Sequence, residues 1–208
     1  MTLLTETPHQ DFTVPAERLW RISVERYHEM IRSGVLTEDD SLELLEGYLV
    51  EKMTINPPHA MITAILFRLF VTLIPAGYFV GSQQPITLHD SETEPDILVV
   101  RGSERDYFSR HPYATETPLL VEVSDRTLQS DQTQKKRIYA RAKIPVYWIV
   151  NIPERQLEIY SEPSGTTFNP TYRQLRLFGV SDQAPVQIDD HVVGFIPVAD
   201  LFPSELEE

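Results

Sequence analysis

The chain of 208 residues contains no cysteine, which removes disulfides, thiolate metal ligands and thiol nucleophiles and leaves the reducing cytoplasm as the expected location. A long apolar run is also missing: the most hydrophobic stretch, Met61 to Ile74, is too short to cross a bilayer and is broken by Arg68. No basic, apolar leader opens the sequence, so a soluble protein with no membrane partner is expected. Positive charge is scarce, with 18 Lys and Arg against 31 Asp and Glu and a net charge of -13. Phosphate neutralisation by Lys and Arg supplies most nonspecific binding to nucleic acid, so this balance argues against broad affinity of that kind. The charge is uneven, however. Glu38, Asp39 and Asp40 form one acidic cluster and Glu205, Glu207 and Glu208 another, whereas Lys135, Lys136, Arg137, Arg141 and Lys143 crowd one short stretch and leave room for a local basic surface.

What remains is an ordinary globular composition, 41% hydrophobic, sufficient for one substantial core. Residues 1 to 12 read as a flexible polar arm and 13 to 208 as a single domain. Apolar spacing predicts a helix from Ala16 to Arg32. LELLEGYLVEKM reads as a β-hairpin turning at Gly47, and His59 to Leu73 as an apolar helix ended by Pro75 and Gly77. Strands are expected at 78 to 83, near Ile86, at 96 to 100 and at 119 to 124. A helix over Asp131 to Ala142 precedes strands at 146 to 150 and 156 to 161. A turn-rich tail with short strands around 173 to 178 and Gln187 completes the pattern. Alternating strands and helices imply an α/β fold, a central mixed sheet flanked by helices in three layers.

Two strands carry an acid where a core strand is normally apolar: Asp96 opens DILVV and Glu122 sits inside LLVEVS. Burying a carboxylate is costly without compensation, and the compensation expected here is a metal ion or a lysine. Leu120, Glu122 and Ser124 share one face of their strand, and neighbouring strands lie roughly 4.8 Å apart, so both acids can converge on one ion. On the following helix, steps of about 100° place Lys135 centrally on the inward face, near Asp131, Ile138, Tyr139 and Ala142. Lys136 and Lys143 fall on one flank, and Arg137 and Arg141 on the other, open to solvent or a polyanion. The plain structural alternatives are a turn-capping acid, an ion pair between Asp131 and Lys135, and a solvated basic face. Two carboxylates and a lysine fit phosphodiester hydrolysis. Mg²⁺ or Mn²⁺ prefers oxygen ligands and activates water, while an amine steadies the attacking hydroxide or the charge on phosphorus.

EPDILVV, PLLVEVSDRTL and DQTQKKRIYARAKIPVYWIVN, in that order after LELLEGYLVEKM and PPHA, resemble the Uma-two family of restriction endonucleases in the PD-(D/E)XK nuclease superfamily. The resemblance spans about Leu44 to Tyr160. It implies a restriction-endonuclease-like fold, a divalent metal and nucleic acid, DNA first, as substrate. The family's proline-aspartate falls on Pro95 and Asp96 and its strand glutamate on Glu122, the implied metal ligands, with the backbone carbonyl of Val123 beside them. The superfamily lysine two residues past that glutamate is replaced by Ser124, so Lys135, which matches the family's helical lysine, takes the catalytic role. Glu46 matches the hairpin glutamate and is a further catalytic candidate. His59, Ser124, Lys136, Arg137 and Arg141 are candidate substrate contacts. Two departures stand out: Lys143 where the family has glycine, and Asn151 where it has aspartate.

The leading expectation is therefore a metal-dependent endonuclease, with a homodimer as the symmetric way to cut both strands of a duplex. A non-catalytic member of the same fold that binds nucleic acid or protein is the alternative, motivated by net acidity and by Ser124. A hydrolase with paired carboxylates, such as a glycosidase, is a third.

Overall fold

A computed structural model describes residues 19 to 202; the expected N-terminal arm lies outside them. The first helix, α1 (Val24–Arg32), starts later than the apolar spacing suggests, because the Ser23 hydroxyl caps it by accepting the Arg26 N–H. The hairpin forms as read. β1 (Leu42–Leu45) pairs with β2 (Tyr48–Glu51), with Leu45 opposite Tyr48 across a two-residue turn. Glu46 and Gly47 both have positive φ, 51° and 82°, the combination of a type I′ hairpin turn. A side chain at 47 would also meet the Arg21 Cβ at 2.7 Å. Asn56 caps α2 (Pro57–Leu73), whose two leading prolines lack N–H groups that would have no partner there.

The centre is a six-stranded mixed sheet. β3 (Tyr78–Ser82), β6 (Ile97–Arg101), β7 (Leu119–Ser124), β8 (Val146–Asn151), β9 (Gln156–Pro163) and β10 (Tyr172–Gly179) lie side by side in that order. Only β7 and β8 run parallel. Parallel neighbours need a crossover. It is supplied by α3 (Leu128–Ser130), a π-helical turn over Asp131–Lys135 and α4 (Lys136–Arg141). The turn after α4 places Lys143 at φ 62°, a left-handed conformation that favours glycine and accounts for the residue type expected there.

Strand alternation divides the sheet into two unlike faces. Ile97, Val121, Val123, Trp148, Val150 and Ile159 point to one, packed under Ile62, Leu66 and Phe70 of α2. The hairpin of β11 (Gln183–Ile188) and β12 (His191–Pro197) adds Val186 and Ile196 to that face. Trp148 meets Phe70 edge-on, ring centroids 5.5 Å apart. The opposite face carries Leu98, Leu120, Tyr147, Ile149 and Tyr160 beneath Ile138, Tyr139 and Ala140 of α4. It is closed by a small sheet in which β1 and β2 join β4 (Ile86–Thr87) and β5 (Glu92–Thr93). β5 and β12 had no sequence signal of their own. Among the described residues no helix is long and apolar enough to cross a membrane.

Candidate functional site

The expected adjacency of the two acid-bearing strands is present: β6 and β7 pair antiparallel with Ile97 opposite Val121. Asp96, one residue before β6, therefore reaches β7, where its Oδ2 accepts the Val123 N–H at 2.8 Å. The same oxygen is 3.0 Å from His59 Nε2 at the start of α2. A carboxylate oxygen accepts, so Nε2 is the donor, and Nδ1 is buried without a hydrogen-bond partner among the described residues. His59 thus orients Asp96, and Val123 enters the site through its N–H.

The same register sets Asp96 opposite Glu122, whose side chain, 4% exposed, lies on the face of β7 under α4. Its Oε1 accepts from Lys135 Nζ at 3.1 Å and from the Tyr139 hydroxyl at 2.7 Å. Lys135 is also 3.6 Å from Glu43 Oε2, so one amine from the crossover stands between acids of β7 and β1. Glu43 in turn accepts the Glu94 N–H through Oε1 at 2.8 Å. Burial works against both charges of the Glu122–Lys135 pair and pushes the Glu122 carboxyl up, with Lys135 opposing it. Lys135 is held well above its ordinary range by Glu122 and Glu43, despite burial. Two acids around one amine favour keeping it as an ammonium ion, which is the charge state that decides its chemistry.

Glu43 was missed in the sequence although it carries the same signal as Glu122, a carboxylate between two aliphatic residues of a strand: Leu42 and Leu44 here, Val121 and Val123 there. The structure places Glu46 with Arg137, which binds both of its carboxylate oxygens, and with Arg141 at 3.1 Å, while Arg141 also reaches Asp90 at 2.6 Å. Burial pushes the Glu46 carboxyl up, but these arginines outweigh it and hold it below the ordinary carboxylate range. Arg137 and Arg141, read as open to a polyanion, are thus largely occupied by internal acids, and Lys136 rests over the Tyr160 ring, 5.2 Å from its centroid. Ser124, in place of a strand lysine, donates to Asp131 Oδ2 at 2.7 Å. Asp131 does not pair with Lys135; the π turn adds a residue to the helical repeat and moves the two out of the four-residue stack.

Whether these residues suit a divalent ion is decided by donor chemistry. No group of three or more His, Cys, Asp or Glu among the described residues forms a ready cage. A hard cation such as Mg²⁺ needs less, because it usually takes one or two carboxylates and completes its shell with water and phosphate oxygens. Asp96 Oδ1 and Glu122 Oε2 accept no hydrogen bond among the described residues. Among the described residues Glu43, Glu92, Asp96, Glu122, Asp131 and Glu158 are buried acids, with the Lys135 amine enclosed beside two of them. Such an excess of buried negative charge suits a cation, so the donors fit.

A crystal structure of a putative nuclease belonging to DUF820 from Anabaena variabilis is similar in fold, with a TM-score of 0.61 at 17% identity, covering 87% of this chain and 97% of that one. The architecture is that of the restriction-endonuclease-like fold, a central mixed sheet flanked by helices. No curated protein matches the chain. Residues 24–189 match the model of a family described as "Putative restriction endonuclease", and the chain belongs to that Uma2 family.

Proposed function

We propose that the protein is a metal-dependent endonuclease that hydrolyses phosphodiester bonds in nucleic acid, with DNA as its substrate. The observation that carries this reading is the Lys135 amine between Glu122 and Glu43, with Asp96, bonded to His59, at the head of the strand that pairs with the one carrying Glu122. Asp96 and Glu122, with the Val123 carbonyl, would hold Mg²⁺ or Mn²⁺, which supplies polarisation of the phosphate and a more acidic bound water. The chain's own groups do the rest. Lys135, kept as an ammonium ion, cannot act as a base; it stabilises the hydroxide that attacks phosphorus or the charge that grows there as the ester oxygen departs. Tyr139, whose hydroxyl donates to Glu122 and accepts from the Thr93 hydroxyl, fixes the Glu122 carboxylate. His59 does the same for Asp96.

The internal pairing of Arg137 and Arg141 favours a site that engages phosphate locally over one that grips a long polyanion, which weighs against a purely binding role. The test is cleavage of single- and double-stranded DNA and of RNA with Mg²⁺ or Mn²⁺, using wild type and Glu122→Gln purified side by side. Metal-dependent cleavage by wild type alone is expected; equal cleavage by both would trace the activity to a contaminant and end the proposal. Calorimetric titration with Mn²⁺ is expected to give heat with wild type and little with Asp96→Ala.

A further inference from the structure

The π-helical turn ahead of Lys135 is tied to the sheet at two successive residues. Asp131, 2% exposed, accepts the Ser124 hydroxyl through Oδ2 at 2.7 Å, and its backbone carbonyl accepts the Tyr147 hydroxyl at 3.2 Å. The next residue, Gln132, donates to Glu158 Oε1 at 2.8 Å. Glu158 is itself buried and held by Asn151 Nδ2 at 2.8 Å and by the Tyr160 hydroxyl at 2.6 Å. Strands β7, β8 and β9 therefore each grip the turn. Its widened repeat is closed by the Lys136 N–H, which donates to the Asp131 carbonyl five residues back.

Two features of this turn are costly and coincide on one residue. π turns are rare and concentrate at functional sites. Asp131 Oδ1 is buried without any hydrogen bond, an arrangement that stability alone disfavours. Ser124 lies two residues beyond Glu122 on the same strand face, so its hydroxyl anchors the helix one step along the strand from the acid that Lys135 must reach. Resting on the nuclease reading above, we propose that Asp131 is a positioning residue: by latching the π turn to Ser124 it sets where the Lys135 amine is delivered, and it makes a helix-borne lysine equivalent to one carried on the strand.

The proposal concerns the placement of an amine, which can be read without catalysis. Lysines of the full-length protein are acylated with an N-hydroxysuccinimide ester, and the rate at each is followed by peptide mass spectrometry. In wild type, Lys135 is expected to react far more slowly than exposed Lys143. Asp131→Ala is expected to raise the Lys135 rate about tenfold by local opening while Lys143 is unchanged. Asp131→Asn, which keeps an oxygen for Ser124, is expected to restore protection. Ser124→Ala removes a single hydroxyl and provides a milder form of the same test should Asp131→Ala destabilise the whole fold. An unchanged Lys135 rate in both Asp131→Ala and Ser124→Ala, or a rise shared equally by Lys143 in both, overturns the proposal. With an active wild type, Asp131→Ala is expected to lower kcat by about 10- to 100-fold with little change in KM. An inactive wild type with the acylation pattern intact would defeat the nuclease reading alone.

Discussion

The two faces of the central sheet use the same strands for opposite purposes. Toward α2, the strands present Val121, Val123, Trp148, Val150 and Ile159, and nothing ionisable interrupts them. Toward α4, the same strands present Leu120, Glu122, Ser124, Tyr147, Glu158 and Tyr160. Each tyrosine hydroxyl there has a partner: Tyr139 and Tyr160 donate to glutamates, Tyr147 to the Asp131 carbonyl and Tyr172 to the Ile144 carbonyl. One face therefore holds the fold by hydrocarbon burial, and the other gives up some of that burial to keep a hydrogen-bonded set of acids in fixed positions.

The contrast can be broken by substitution on either side. The largest expected effect is on the hydrocarbon face: Trp148→Ala should cost about 3–5 kcal/mol in urea unfolding, and a loss below about 1 kcal/mol would mean that this face is not the main support. On the acidic face, Glu122→Gln should reduce cleavage at least about 100-fold, equivalent to about 2.7 kcal/mol in the barrier. If its melting curve shifts as far as that of Trp148→Ala, the division of labour fails. The pH dependence sharpens the same point. Lys135 is raised in the folded protein, so its contribution to stability is complete below the unfolded value and is lost only as pH rises through the higher folded one. Cleavage should accordingly show no alkaline inflection attributable to Lys135 below about pH 10; a drop in kcat near neutrality that vanishes in Lys135→Arg would contradict it. The smallest effect belongs to Glu46, whose arginine partners are partly exposed and screened. Its carboxyl is depressed, so its contribution is present above the ordinary value and lost as pH falls through the depressed one. The stability difference between wild type and Glu46→Gln should shrink from about 1 kcal/mol or less near pH 6 toward zero as pH falls through that depressed value.

The architecture was largely legible because its signals are local. Short runs of aliphatic, β-branched and aromatic residues located β3, β6, β7, β8 and β9, and a charged residue inside an apolar strand marked Glu122. Features set by distant partners were not legible. Glu43 lies 92 residues from Lys135 in sequence, yet the two meet, and nothing near Glu46 announces that Arg137 and Arg141 will occupy it. Nor does an ideal helical wheel anticipate the π turn, whose extra residue depends on Ser124, Tyr147 and Glu158 from three strands. β5 has only two residues, Glu92 and Thr93, and is recognisable as a strand only beside Leu44 of β1. α1 starts at a serine whose capping bond outweighs the apolar periodicity before it.

The crossover between the two parallel strands has a kinetic consequence. Glu122, Ser124, Asp131, Lys135, Tyr139 and Asn151 all come from the contiguous stretch between Leu119 and Asn151. Closing so short a segment requires little loop entropy, whereas bringing Glu43 and Asp96 to it requires remote parts of the chain to dock. Amide exchange should therefore find the strand, helix and strand of this unit opening together and last, with the β1–β2 hairpin exchanging earlier as a separate cooperative block.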